Sequence, residues 1–528
     1  MNEKIDKLLG LLVQEKRFHM RLVLEGMAVG LGTGASIGLF RYLLGLSEVL
    51  RPQIYAGVMA AASEGSWLPL AGYGAIFVLI AWWLKKIVAN EPMCTGSGIP
   101  QIKGILLGKM YMRWYSVLVS KILGGVLAIG AGLSLGREGP SVQIGACVGQ
   151  GVSRGAKRTR FEERILLTAG AGAGLAAAFN APLAGVIFGL EEMQKSFSAA
   201  LLLAGITAAV TAAAVTELIF GGQPVFAMGC LLPLPLDMLG VAAGTGLFIG
   251  ILGQSFNKAL LFSMDTYDRL GLQGISRPLV PLVLAAALGF VLPQILGGGN
   301  LLVDSLVRED YALGILCLLF VGKFLFTMVC FGSGVPGGIF LPMLVLGAAG
   351  GAFFGKVLIA LGLLPAVYLS DIIVFAMAAY FAAVVKSPVT GAVLIMEMTG
   401  SFQHMLPLIA VSLTAYLVSD VAGGRPVYDE LLNRALLRRS DSGKALPEQW
   451  GRQTALELTV HPGSPAAGRL IGDIPWPEKM VLVDLRRGMY RLVPDKELSL
   501  QAGDYLYVLA EDMDIDCLKK LTEDGKQR

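Results

Sequence analysis

The sequence predicts an all-helical, multi-pass membrane protein made of two related halves, followed by a small α+β domain. Three observations carry that reading: charge-free runs of membrane-spanning length, motifs that recur in the same order, and an abrupt change of composition near Arg438. Of the 528 residues 55% are hydrophobic and only 16% charged, which is too apolar for a soluble protein of this size.

Residues 1–25 form a polar, basic segment carrying Lys4, Lys7, Lys16, Arg17 and Arg21. The positive-inside rule places it in the cytoplasm. No signal peptide is expected, since no short apolar stretch ends in a small-residue cleavage site. The membrane part is expected over residues 26–430. Its runs without Asp, Glu, Lys or Arg are Leu68–Leu84, Ser196–Thr216, Met238–Asn257, Pro278–Val303, Phe324–Gly355 and Met398–Ser419. Most match the roughly 20 residues that a helix needs to cross a hydrocarbon core. Six cysteines without a close pair and three histidines predict no metal centre and no cofactor. A net charge of +4 predicts no nucleic-acid partner. The bilayer is the expected surrounding.

Two motifs recur. "GSGIP" at Gly96–Pro100 returns as "GSGVP" at Gly332–Pro336, and "APLAGVIFGLE", ending at Glu191, returns as "SPVTGAVLIME", ending at Glu397. In the second pair Pro182, Gly185 and Glu191 match Pro388, Gly391 and Glu397, 206 residues later. Repeats with Gly/Pro-interrupted segments mark transporter folds, and irregular backbone at membrane depth survives only where it is buried in protein or lines a cavity. "TAGAGAGLAAAFNAPLAG" fits close helix packing rather than a lipid-facing surface.

"GSGIP", "GREGP" and "GSGVPGGIF" each combine glycines for unusual backbone angles with a proline tolerated in a first helical turn. Each is expected to open a helix inside the membrane. Helix starts offer free N–H groups and a positive dipole end, so several of them aimed at one place make an anion site.

Together with "GGIFLP", "FNAPLAGVIFGLEEM", "KSPVTGAVLIMEMT" and "GGRPVYDELL", these motifs resemble those of the CLC chloride channel and transporter family from near Gly26 to Tyr428. The resemblance implies a membrane protomer of two inverted halves, assembled as a homodimer, with one pathway per protomer for chloride and other small anions. It implies that Ser97 and the hydroxyl of Tyr428 contact the anion, that Ile339 and Phe340 donate backbone N–H groups to it, and that buried Lys121 adds positive potential without touching it. Serine in the first motif suggests chloride, leaving nitrate, bromide and fluoride open.

Glu138, in "GREGP", matches the family's gating glutamate. Ionised, its carboxylate occupies an anion position at a helix start; protonated, it leaves and the anion enters. Arg137 is expected to anchor its loop to carbonyls or a carboxylate. Glu192, second of the pair in "EEM", stands where proton-coupled family members carry an internal proton-transferring glutamate. The resemblance thus favours a chloride/proton antiporter. A passive chloride channel and a ligand-sensing membrane scaffold without transport remain the alternatives. Glu191, repeated as Glu397, reads as structural.

From Ser440 onward 27 of 89 residues are charged, about 30%, against 55 of 439 before it, about 13%. Residues 431–452 read as a linker and 453–528 as a water-soluble domain, with strands expected in "ALELTV", "KMVLVDLRR", "MYRLVP" and "GDYLYVLA". The Pro-Gly-Ser-Pro turn, Arg486-Arg487-Gly488, Pro494-Asp495 and Gly503-Asp504 resemble the C-terminal module of TrkA/RCK potassium-transport regulators. That resemblance implies dimerisation and a small regulatory ligand, with Arg486 and Arg487 as candidates to hold it. The cytosolic tail and short loops suggest a prokaryotic inner membrane.

Overall fold

Two rounds of the same helix order make up the membrane body. The computed structural model describes residues 2–226, 228, 231–441, 453–477, 480–488, 490–511 and 515–522. The first round comprises α1 (Asn2–Ser63), α2 (Leu68–Asn90), the short α3 (Ile99–Leu106), α4 (Trp114–Gly130), α5 (Glu138–Gly155), α6 (Arg160–Phe179), the short α7 (Pro182–Phe188) and α8 (Ala199–Phe220). The second comprises α9 (Leu239–Arg269), α10 (Ser276–Val291), α11 (Asn300–Arg308), α12 (Leu313–Gly332), α13 (Phe340–Ala360), α14 (Leu369–Val385), α15 (Pro388–Thr399) and α16 (Met405–Val421). A further helix, α17 (Val427–Asp441), follows. Among the described residues eight helices are long and apolar enough to cross a membrane.

Packing repeats with the order: α5 on α6, α6 on α8 and α1 on α8 are echoed by α13 on α14, α14 on α16 and α9 on α16. Two contacts are reciprocal. Glu191 accepts the backbone N–H groups of Val389 (3.2 Å) and Thr390 (2.7 Å), and Glu397 accepts those of Leu183 (3.1 Å) and Ala184 (2.7 Å). Gly136 and Gly338, 202 residues apart, exchange both backbone hydrogen bonds at 2.7 and 2.8 Å. A contact in which each partner meets the other's equivalent requires an approximate two-fold axis.

This arrangement corrects one of the two recurring pairs. "APLAGVIFGLE" and "SPVTGAVLIME" are equivalent, opening α7 and α15. "GSGIP" and "GSGVP" are not. The first precedes α3, whose counterpart α11 is preceded by Leu296-Gly297-Gly298-Gly299; the second precedes α13, the counterpart of α5. Gly98 and Gly299 both cap their helices in the left-handed region, at φ 91° and 103°. The likeness of the two pentapeptides reflects a shared need for sharply turned backbone, which few residue types satisfy.

The charge-free runs break where glycine and proline interrupt them. Phe324–Gly355 is split at Ser333–Ile339, and Pro278–Val303 by a short 3-10 turn at Pro293–Ile295. Small residues bring α5 and α6 to backbone distance: a Cβ on Gly145 would fall on the carbonyl of Gly170, and one on Gly170 on that of Gly145.

The reciprocal glutamates cap helices across the two-fold axis. Loss of a capping side chain costs about 0.5–2 kcal/mol. Glu397→Ala and Glu191→Ala are therefore expected to lower the melting temperature in detergent, with Glu191→Ala losing more, since Glu191 also accepts the Thr390 hydroxyl at 2.6 Å. Differential scanning fluorimetry checks both.

The chain divides into units of residues Met1–Arg438 and Arg439–Arg528. The stretch expected as a linker, 431–452, begins inside α17, and 442–452 lie outside the described residues. The basic N-terminal segment is continuous with α1. In the second unit β1 (Gln453–Thr459), β2 (Val481–Arg487), β3 (Tyr490–Leu492) and β4 (Tyr505–Glu511) form an antiparallel sheet ordered β1-β4-β2-β3, joined by α18 (Ile515–Thr522). Leu458, Val460, Leu485, Leu506, Val508 and Leu518 are buried in its core.

Candidate anion site and proton route

The three glycine-rich motifs are stitched together through backbone. Gly96 pairs with the segment at Pro336 as Gly136 pairs with Gly338, and the Gly337 N–H donates to the Gly96 carbonyl at 3.0 Å. Three helix starts, α3 after "GSG", α5 at Glu138 and α13 at Phe340, are thereby gathered at one place. Gly139 lets the first two touch, since a Cβ there would lie 2.8 Å from Ser97 Cβ. No N-cap residue of the three helices caps with its own side chain, and only the Ile99 N–H of α3 hydrogen-bonds to a side chain, the Oγ of Ser97. The remaining uncapped N–H groups attract negative charge.

Glu138 is fully buried at this junction. Its carboxylate is directed at its own backbone N–H and that of Leu341, in the first turn of α13. Neither oxygen reaches hydrogen-bonding geometry. The side chain folds back over Gly136, where any Cβ would collide with Oε2. The carboxylate thus stands at the start of α13 without a hydrogen-bonded side-chain partner.

Arg137 meets a carboxylate only at long range. Its Nε is buried without a hydrogen-bond partner and stands 3.9 Å from Glu138 Oε1. A permanent ion pair would be closer.

Ser97 is buried and its Oγ accepts the Ile99 N–H at 3.3 Å. Ile339 and Phe340 are buried at the start of α13, with the Phe340 ring held among Phe179, Phe188 and Phe381. Tyr428, in the first turn of α17, is buried with its hydroxyl unpartnered, in electrostatic reach of both Glu192 and Glu138. A cavity of about 370 Å³ reaches Ser97 and is lined by Arg277, Arg434 and Arg438 among others.

Lys121 donates to the carbonyls of Cys94 (2.9 Å) and Gly96 (2.6 Å), holding the first motif in shape. Its equivalent was not recognised in the sequence. Lys323, 202 residues later, donates to Ile295 (3.0 Å) and Gly297 (2.7 Å). A lone lysine in an apolar stretch at the repeat spacing was the available signal.

Glu192 lies in a π-helical turn, Gly189–Gln194, and is buried. Lys103 Nζ is 2.7 Å from its Oε1 and the Ser387 hydroxyl donates to its Oε2 at 2.9 Å. Neither partner was read from the sequence, because both follow from how α3 and α15 meet the turn.

In the C-terminal unit Arg487 is not available to a ligand as the sequence suggested. Its guanidinium donates to both oxygens of buried Asp504, at 2.7 and 2.8 Å, and to the Ser499 carbonyl at 2.7 Å. Asp504 raises the Arg487 pKa above its ordinary value. Arg486, the adjacent residue on β2, points to the opposite face and is exposed.

Fold and site together define a multi-pass membrane protein whose two-fold-related halves bring three helix starts together. Residues 76–420 match the family described as voltage gated chloride channel, and residues 455–522 match the TrkA-C domain. The H(+)/Cl(-) exchange transporter ClcA of Vibrio cholerae serotype O1 is 39% identical over 398 residues, covering 73% of this chain and 84% of that protein. ClcA of Salmonella arizonae is 35% identical over 455 residues, covering 84% and 94%. A slow cyanobacterial Cl-/H+ antiporter of known structure superposes with a TM-score of 0.73 at 32% identity, over 80% of this chain and 99% of its own. A CLC-type fluoride/proton antiporter, at 21% identity and a TM-score of 0.63 over 76% and 96%, shares the fold. The chain belongs to the CLC family of voltage gated chloride channels and transporters, with the family's two inverted halves, and carries a TrkA-C domain after the membrane body.

Proposed function

We propose that the protein is a proton-coupled chloride antiporter gated by Glu138. The observation that carries this reading is the Glu138 carboxylate, buried and lightly held where three helix starts meet, with a second buried carboxylate, Glu192, within electrostatic reach of the same Tyr428. The relatives named as H(+)/Cl(-) exchange transporters support exchange over a passive channel.

In this reading Ser97, the backbone N–H groups of Ile339 and Phe340, and the Tyr428 hydroxyl contact chloride. Lys121 holds the first motif and adds positive potential, and Arg137 adds positive potential beside Glu138. Glu138 takes a proton from outside when it leaves the pathway, and Glu192 exchanges protons with the cytosol. The protein works as a homodimer in which each protomer carries its own route. The protein sits in a prokaryotic inner membrane with both termini cytoplasmic, and the TrkA-C domain regulates transport, with exposed Arg486 as its candidate contact for an anionic ligand.

Flux from proteoliposomes, with chloride and pH gradients varied independently, tests the reading. An outward chloride gradient is expected to drive protons inward against their own gradient. Chloride movement with no proton movement would establish the channel instead.

A further inference from the structure

Lys103 stands between two carboxylates on different elements. Near the far end of α3, the helix that begins beside Ser97, it is 5% exposed and forms ion pairs with Glu192, at 2.7 Å, and with Asp429. Asp429 follows Tyr428 directly in the first turn of α17 and is also held by Lys195 at 2.6 Å. The groups facing Glu192 are thus Lys103 from α3, Ser387 from the start of α15, Asp429 and Tyr428 from α17, and Lys195 just past its own turn.

We propose that Lys103 is a positioning residue that couples the charge on Glu192 to Tyr428, whose hydroxyl contacts chloride in the reading above, by sharing its own charge between Glu192 and Asp429. The inference rests on the reading of Glu192 as the internal proton acceptor. With Glu192 ionised, the Lys103 ammonium is divided between two carboxylates. A proton from cytosolic water, added to the Glu192 carboxylate, removes one of the two attractions. Lys103 then goes over to Asp429, whose backbone is continuous with Tyr428. The proton leaves Glu192 for the Glu138 carboxylate, and the shared arrangement returns. In the low-dielectric interior a change of one unit charge at hydrogen-bonding distance is a large perturbation, and a buried cation cannot be left unpaired. The two carboxylates therefore compete for one ammonium.

Lys103→Met, reconstituted as the full chain in proteoliposomes, tests this. The expected result is at least a threefold fall in protons moved per chloride. The internal pH at which coupled transport is half-maximal is also expected to rise by about one unit, because an opposite charge that favoured the ionised carboxylate is gone. Lys103→Arg, which keeps the charge, is expected to restore both readouts to within twofold. A packing role alone would leave the pH profile in place. Should Lys103→Met fail to fold, Lys103→Gln, which keeps donors but no charge, is read in the same way. A Lys103→Met protein with the wild-type ratio and pH profile overturns the proposal. Glu192→Gln, measured alongside, separates the two readings: if it stays coupled, the proton route through Glu192 falls, whereas if it uncouples while Lys103→Met does not, only the role of Lys103 falls.

Discussion

Glu138→Gln is expected to abolish proton movement while chloride continues to flow. Glutamine matches the protonated acid in shape and charge, so it cannot compete as an anion for the N–H groups at the start of α13 and cannot carry a proton. The geometry favours a clean substitution. Neither Glu138 oxygen makes a hydrogen bond whose loss would unfold the junction, and Arg137, at 3.9 Å, is no closely bound partner. The space over Gly136 that admits the carboxylate admits an amide of the same size. In the wild-type protein lower external pH protonates Glu138 and opens the pathway, so chloride flux rises as external pH falls. In Glu138→Gln that dependence is expected to be lost. Counting protons and chloride in the same vesicles, with external pH stepped, reads both effects. Retained proton pumping would remove Glu138 from the proton route altogether.

Much of this site was legible because its chemistry depends on backbone. Glycine and proline fix where a helix opens, and that signal survives in sequence as "GSGIP", "GREGP" and "GGIFLP". The strands of the C-terminal domain were legible for the same local reason, since their alternation and turns lie within a few residues of one another. What escaped depends on distant segments meeting. The pairing of Glu192 with Lys103 and Ser387 joins residues 89 and 195 positions apart. Arg487 looked like a ligand-binding residue because its bidentate partner Asp504 lies 17 positions later, in the turn that leads into β4. The mismatched pair of "GSGIP" and "GSGVP" shows the opposite hazard: local resemblance imposed by turn chemistry was taken for equivalence between halves. The two-fold relation was legible instead at Lys121 and Lys323, which share the 202-residue offset of Gly136 and Gly338 and hold equivalent loops.

Glu192→Gln is expected to uncouple transport as fully as Glu138→Gln but by a different cut, and external pH distinguishes the two. The buried Glu192 carboxylate is fixed on both oxygens, by Lys103 and by Ser387, so its place is set and only its charge is free to change. An amide keeps an acceptor for one of these donors but neither binds nor releases a proton near neutral pH. Protons from the cytosol then lose their stop on the way to Glu138, and net proton movement against a gradient ceases. Glu138 remains intact in this variant and still titrates from the outside. Chloride flux is therefore expected to keep rising as external pH falls in Glu192→Gln, whereas in Glu138→Gln it does not. The double substitution is expected to resemble Glu138→Gln alone, because an outer gate that no longer titrates hides whatever the inner route delivers. Proton uptake driven by a chloride gradient, measured for each single variant and the double variant across external pH, decides the matter. Uphill proton movement in Glu192→Gln would show that protons reach Glu138 by another path, leaving the cluster of Lys103, Ser387 and Asp429 as a brace between α3, α15 and α17.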